Sequence, residues 1–322
     1  MAVFTKIGNQ DITNIEKNFN LGKIKKFSGI KKGIENTNYI LKIKNQKYIL
    51  TIFEKRVETR DLPFFMQLMS NLSRLKVKCP NPVKSKNGKF IFKIKNKKAC
   101  IVSFLEGKDK KELNSKDCYI VGKHVAKLHQ ASKKIKLYRK NSLSVKSWPS
   151  LLSRINVKID KLSNGLKNLM KFELLQIKKT WPKNLPKGII HCDLFADNII
   201  FYKKKFHGFI DFYFSCNDYL SYELATCVNA LCFVKKKNKY ILDKKKSSNF
   251  LKGYESIRKL TSSEKRHFNT MCRGSALRYL LTRAYDYLNT PKNAIIKIKD
   301  PKEYVQKLNY HRLINSYKNY IN

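Results

Sequence analysis

The chain has 322 residues, 42% of them hydrophobic, enough for one large domain or two modest lobes and too many for wholesale disorder. Its formal net charge is +46, from 69 Lys and Arg against 23 Asp and Glu. Only 11 of the 69 are arginine and lysine runs along the whole length, which reads as solvated faces and excludes a dedicated recognition stripe for a specific nucleic acid.

The first hundred residues read as mostly strand. "ENTNYILKI" and "QKYILTIF" are β-rich and joined by the polar "KNQ", a hairpin signal. "DLPFFMQLMSNLSRL" follows the helical period at Phe64, Phe65, Leu68, Met69, Leu72 and Leu75, with a proline at its start. "GKFIFKI" and "KACIVSFLEG" supply two more strands. From "SKDCYIVGKHVAKLHQAS" onward, with Ser115 as N-cap, helices dominate: "PSLLSRINVKIDKL", "FELLQIKKTW", "SYELATCVNALCF", "SSNFLKGYESIRKL", "CRGSALRYLLTRAYDYL" and "PKEYVQKLNYHRLINSY". One β segment, "GIIHCDLFADNIIFYKKKFHGFIDF", interrupts them, and "FVKKKNKY" and "DKKKSS" read as surface loops. The expectation is an α+β, two-lobed chain with a β-rich lobe at 1–102, a hinge at 103–107 and a helical lobe at 108–322, and with its site in the cleft. Apolar windows such as "ATCVNALCFV" stop near ten residues, and "MAVFTKIGNQDITN" has no secretory pattern, so a cytoplasmic location without a membrane partner is expected. Eight scattered cysteines without a C-x-x-C pair read as free, mostly buried thiols.

In "HCDLFADNIIF" an acid, Asp193, is followed five positions on by an amide, Asn198; a second acid, Asp211, ends the next hairpin in "GFIDF". Phosphoryl transfer from ATP needs such a set: one carboxylate to accept the proton of an attacking hydroxyl, and an amide oxygen and second carboxylate to hold Mg²⁺ on the phosphates. D-x-x-x-x-N followed by I-D-F matches the catalytic loop and metal loop of protein kinases. H-x-D alone would suit a strand-end hydrogen-bond pair. His191 and Cys192 point to opposite faces and cannot form a protease dyad, and the other histidines form no ligand array. Upstream, "SGIKKGIENTNYIL" places Gly29, Gly33 and Asn36 where backbone N–H groups can lie over a triphosphate. Ile49 and Thr51 share a strand face toward the nucleotide, and the backbone of Ser103–Leu105 suits an adenine edge.

Several stretches carry a family resemblance. "VSFLEG", "VGKHVAKLH", "HCDLFADNIIF", "GFIDF" and "YELA" occur in the order found in the aminoglycoside phosphotransferase and choline kinase group, small-molecule kinases with a protein-kinase-like fold. "KGIENTNYIL", "DLPFFMQLM", "CPNPV", "IDFYFSCND", "ALRYLLTRAYDYLNTP" and "KDPKEYVQKL" resemble its homoserine kinase branch nearly end to end. The resemblance implies an ATP- and Mg²⁺-dependent kinase of L-homoserine, on the way to threonine, with Asp193 as base and Asn198 and Asp211 as metal ligands. The alternatives are a kinase of choline, an aminoglycoside or a sugar-like amine, or a basic polyanion-binding protein on a degenerate kinase fold. The chain departs from the kinase pattern at Thr51, where a lysine usually stands, and the helix after it lacks the partner glutamate. Lys55 is the nearest substitute. For the substrate, Arg283 is the first carboxylate partner, Arg278 the second, and Asp286 the partner of the ammonium.

Overall fold

Alternating apolar residues at 37–52 build the centre of an antiparallel sheet in this computed structural model, which describes residues 4–30, 36–54, 57–155, 158–290 and 298–322. In chain order come α1 (Asn9–Asn18), β1 (Lys26–Gly29), β2 (Thr37–Ile43), β3 (Gln46–Ile52), α2 (Leu62–Arg74), β4 (Ile91–Ile94) and β5 (Lys97–Ser103). The strands lie in the order β1-β2-β3-β5-β4. The two-residue turn between β2 and β3 puts Lys44 in the left-handed region, φ 49°. Register sets the faces: Tyr39 pairs with Leu50 and Leu50 with Ile101, so one face is apolar. Tyr39, Leu41, Ile43, Leu50, Ile52, Ala99 and Ile101 bury there against Ile12, Ile15 and Phe19.

Those last three residues correct the expectation of a mostly-strand beginning. Ile12 and Ile15 sit at helical spacing on α1, whose first turn is closed by the Asp11 carboxylate accepting the Gly8 N–H at 2.9 Å. Helix α2 starts with a proline in its first turn and buries Leu62, Phe65, Met66, Leu68, Met69 and Leu72. Leu75 falls after its end and is exposed.

The chain divides into two compact units, the first holding Met1–Lys108 and Ile200–Tyr213, the second Asp109–Ile199, Phe214–Lys292 and Ile298–Asn322. Short strand β6 (Lys108–Asp109) precedes α3 (Ser115–Ser132), α4 (Trp148–Ile155) and α5 (Leu166–Thr180). Strands β7 (Lys187–Ile190), β8 (Ile199–Tyr202), β9 (Lys205–Phe209) and β10 (Cys216–Tyr219) follow. Then come α6 (Leu220–Leu231), β11 (Phe233–Lys236), β12 (Lys239–Leu242), α7 (Lys244–Glu255), α8 (Ser262–Arg266), α9 (Phe268–Asn289) and α10 (Lys302–Arg312). Three local expectations change. Asn114, not Ser115, caps α3, accepting the Asp117 N–H at 2.9 Å. "FVKKKNKY" forms most of the hairpin β11–β12, with Phe233 opposite Leu242 and both buried, while its lysines point outward. "DKKKSS" opens α7 with Asp243 as its cap.

In the second unit, α3 and α7 touch through glycines. A Cβ on Gly122 would lie 2.0 Å from the Phe250 carbonyl oxygen, and one on Gly253 would lie 2.0 Å from that of Tyr119. Helix α9 is buried over most of its first sixteen residues and packs on α4, α5, α6 and α10. All eight cysteines are free and buried.

Candidate active site

Strand β7 pairs antiparallel with β10, Ile190 opposite Cys216, and its end fixes where the loop at 191–198 begins. Cys192 turns the chain with φ 65°, a conformation that costs a non-glycine residue about 1–3 kcal/mol and needs support. The support is Glu223, fully buried on α6. Its carboxylate accepts the backbone N–H groups of His191 and of Cys192, the latter at 3.0 Å. Behind Glu223, His129 Nε2 lies 3.9 Å away and His129 Nδ1 meets the Tyr254 hydroxyl at 2.8 Å. The Tyr254 hydroxyl accepts from Arg258, which is paired with buried Glu264 at 3.0 Å. Burial pushes the His129 imidazole down, so it is neutral.

Asp193 is held at both carboxylate oxygens. Tyr279 donates its hydroxyl to the Cys192 carbonyl at 3.0 Å and to Asp193 Oδ1 at 3.2 Å. Asn198 Nδ2 donates to the Asp193 carbonyl at 2.8 Å and to Oδ2 at 3.3 Å. With Nδ2 committed, the Asn198 amide oxygen is the atom left for a hard cation. Amide oxygen plus carboxylate is a donor set that Mg²⁺ accepts together with phosphate oxygens. Among the described residues no group of three or more His, Cys, Asp or Glu could hold a metal on its own. Burial pushes the Asp193 carboxyl up, and Arg278, His191, Lys299 and the Tyr279 hydroxyl pull against it. Asp197 is exposed with Lys299 3.8 Å away.

The two arginines on α9 differ. Arg283 is paired with Glu303 at 2.7 Å, reaches the Asp300 carbonyl at 3.4 Å and stacks on the Tyr304 ring. Arg278 is 3% exposed, lies 4.0 Å from the Tyr279 ring centre and 5.8 Å from that of Phe214, and has no hydrogen-bond partner at Nε among the described residues. Its charge meets no carboxylate at salt-bridge distance among the described residues. Asp286, eight residues on along α9, is half-buried.

In the first unit, Ile49 is half-buried and shares its sheet face with Thr51, which is 2% exposed and donates its hydroxyl to Asn38 Oδ1 at 2.8 Å. Ser103 N–H donates to the Asn81 carbonyl at 2.9 Å and Phe104 N–H to Lys47 at 3.2 Å. Of the backbone donors at 103–105, only the Leu105 N–H has no partner among the described residues. Gly29 ends β1 and is exposed; buried Asn36 accepts the Glu54 N–H at 3.3 Å. Gly33 and Lys55 lie outside the described residues. Asp211 is exposed, with φ 66°. Sequence reasoning missed Glu223 and the part played by Tyr279; the acid inside the apolar stretch "YELATCV" was the available signal for the first.

The profile of the phosphotransferase enzyme family matches residues 26–256. The homoserine kinase of Sinorhizobium medicae (strain WSM419) is 40% identical over 98% of this chain and 96% of its own length. That of Rhodopseudomonas palustris (strain BisA53) is 40% identical over 99% and 97%. Among solved structures, amicoumacin kinase in complex with AMP-PNP, Ca²⁺ and Ami superposes with a TM-score of 0.69 at 14% identity, covering 97% of this chain and 95% of the other. Spectinomycin phosphotransferase with ADP and spectinomycin gives 0.65 at 14%, covering 98% of each. These likenesses show the fold, an α+β protein-kinase-like one. The chain is thus an enzyme of the phosphotransferase enzyme family and belongs to its homoserine kinase branch.

Proposed function

We propose that the protein transfers the γ-phosphoryl group of ATP to the hydroxyl of L-homoserine, giving O-phospho-L-homoserine for threonine biosynthesis. The observation that carries the substrate is likeness to homoserine kinases over nearly the whole of both chains. Asp193 accepts the hydroxyl proton, its carboxylate aimed by Tyr279 and Asn198. Asn198 and Asp211 hold Mg²⁺, which when bound neutralises phosphate charge. Adenine lies against Ile49 and donates to and accepts from the chain near Leu105, while the backbone around Gly29, Gly33 and Asn36 covers the phosphates. The substrate carboxylate goes to Arg278 in preference to Arg283, because Glu303 already engages the latter. Asp286 is the partner proposed for the ammonium.

The test is a competition: ATP, Mg²⁺ and equal homoserine, serine, threonine, choline and kanamycin, read by product mass. Phosphohomoserine is the expected main product; phosphorylated choline or kanamycin with homoserine untouched refutes the reading. In parallel, Asp193→Asn is expected to lower turnover by about two to four orders of magnitude with ATP binding nearly unchanged. Near-normal turnover in that variant would remove Asp193 from its role.

A further inference from the structure

Tyr213 stands two residues after Asp211 and belongs with it to the first unit. On the sheet face opposite the apolar cluster, Asn38, Thr51 and Cys100 stand side by side on β2, β3 and β5, Asn38 opposite Thr51 and Thr51 opposite Cys100. The Tyr213 hydroxyl closes over this row. It lies 3.7 Å from the Cys100 sulfur, which stands opposite Thr51. Its ring is met edge-on by Phe53 at 5.1 Å and 90° and by Phe65 of α2 at 5.8 Å and 83°.

The row includes the position where kinases carry their phosphate-binding lysine. Two residues before Tyr213, Asp211 is exposed in the left-handed region, so its direction depends on what anchors the segment that follows. We propose that Tyr213 is a positioning residue that fastens the Asp211 segment to the Thr51–Cys100 row and thereby sets the affinity of the enzyme for its divalent cation. The lost lysine is in this view replaced by an anchor and not merely deleted. The proposal rests on Asp211 being a metal ligand.

Purified full-length Tyr213→Phe and Asp211→Asn are compared with the parent by titrating Mn²⁺ in the presence of ADP and counting free Mn²⁺ by electron paramagnetic resonance. Thermal midpoint and the Mg²⁺ dependence of the rate are measured alongside. Tyr213→Phe is expected to weaken Mn²⁺ binding about three- to tenfold. Metal-free ADP affinity and the thermal midpoint should stay near the parent's. Parent-like Mn²⁺ affinity in Tyr213→Phe, with Asp211→Asn clearly weakened, overturns the role of Tyr213 alone. A lowered midpoint without a change in Mn²⁺ affinity does the same, since it marks plain packing. Unchanged Mn²⁺ binding in Asp211→Asn overturns the metal-ligand reading and the proposal with it.

Discussion

Arg278 and Arg283 sit five positions apart on one helix, and their surroundings give them different work. Removing one partner of a buried pair leaves a charge exposed to an apolar interior and costs about 3–5 kcal/mol. Arg283→Gln should therefore lower the thermal midpoint, because Glu303 would keep only Lys307, with little change in the KM for homoserine. Arg278→Gln should instead lower kcat/KM for homoserine about a hundredfold or more while the KM for ATP stays put. Equal effects on both substrates would refute the assignment. The sequence ranked these two in the opposite order. Spacing on a helix shows which residues share a face, but Glu303 arrives from another helix twenty residues away, and no periodicity announces it. Asp193 and Asn198 were legible because their spacing is local; the tyrosine that aims Asp193 comes from 86 residues further on.

The loop at 191–198 is only as well placed as the helix that grips it. Two consecutive N–H groups end on one fully buried carboxylate of α6, so Glu223→Ala strands both donors and frees the strained Cys192 turn. Turnover should drop about ten- to a hundredfold with the KM for ATP changed less, and Glu223→Gln, which keeps one acceptor, should recover part of it. Turnover unaffected by either change would show the grip to be unnecessary. Gly122→Ala belongs to the same scale: its new Cβ would overlap the Phe250 carbonyl, forcing α3 from α7 at a cost of about 1–3 kcal/mol or more, seen as a lower midpoint in denaturant. Long elements such as α2, α3 and α9 were legible because their apolar period extends over several turns. Helix α1 and the hairpin at 233–242 were not. One is short and mostly polar, and in the other lysines at the outward positions and the turn hide the alternation of the strands.

At the scale of the molecule, a charge of +46 spread as lysine predicts weak duplex DNA binding that vanishes with modest salt and shows no sequence preference, while kinase activity proceeds without nucleic acid. Tight binding of one sequence at physiological salt would contradict this. Acid sensitivity has a more local origin. His311 is fully buried between the Asn229 amide oxygen and the Tyr320 hydroxyl, each 2.9 Å away, and burial, Lys307 and Arg273 push its imidazole from 6.5 down to about 3. Between those values the unfolded chain takes up a proton that the folded chain refuses, so stability is complete above about pH 6.5 and declines as pH falls toward 3. The thermal midpoint should be flat above neutrality and drop below it, and His311→Gln should flatten the slope whatever it does to the absolute midpoint. An unchanged slope would place the acid sensitivity elsewhere. The order in which the chain leaves the ribosome adds a constraint of time. The β-rich unit draws on Ile200–Tyr213 as well as Met1–Lys108, so Tyr213 reaches the Thr51–Cys100 row only after about another hundred residues have been made. At roughly 5–20 residues per second that is on the order of 5–20 s of translation, during which this face of the nascent sheet lacks its tyrosine.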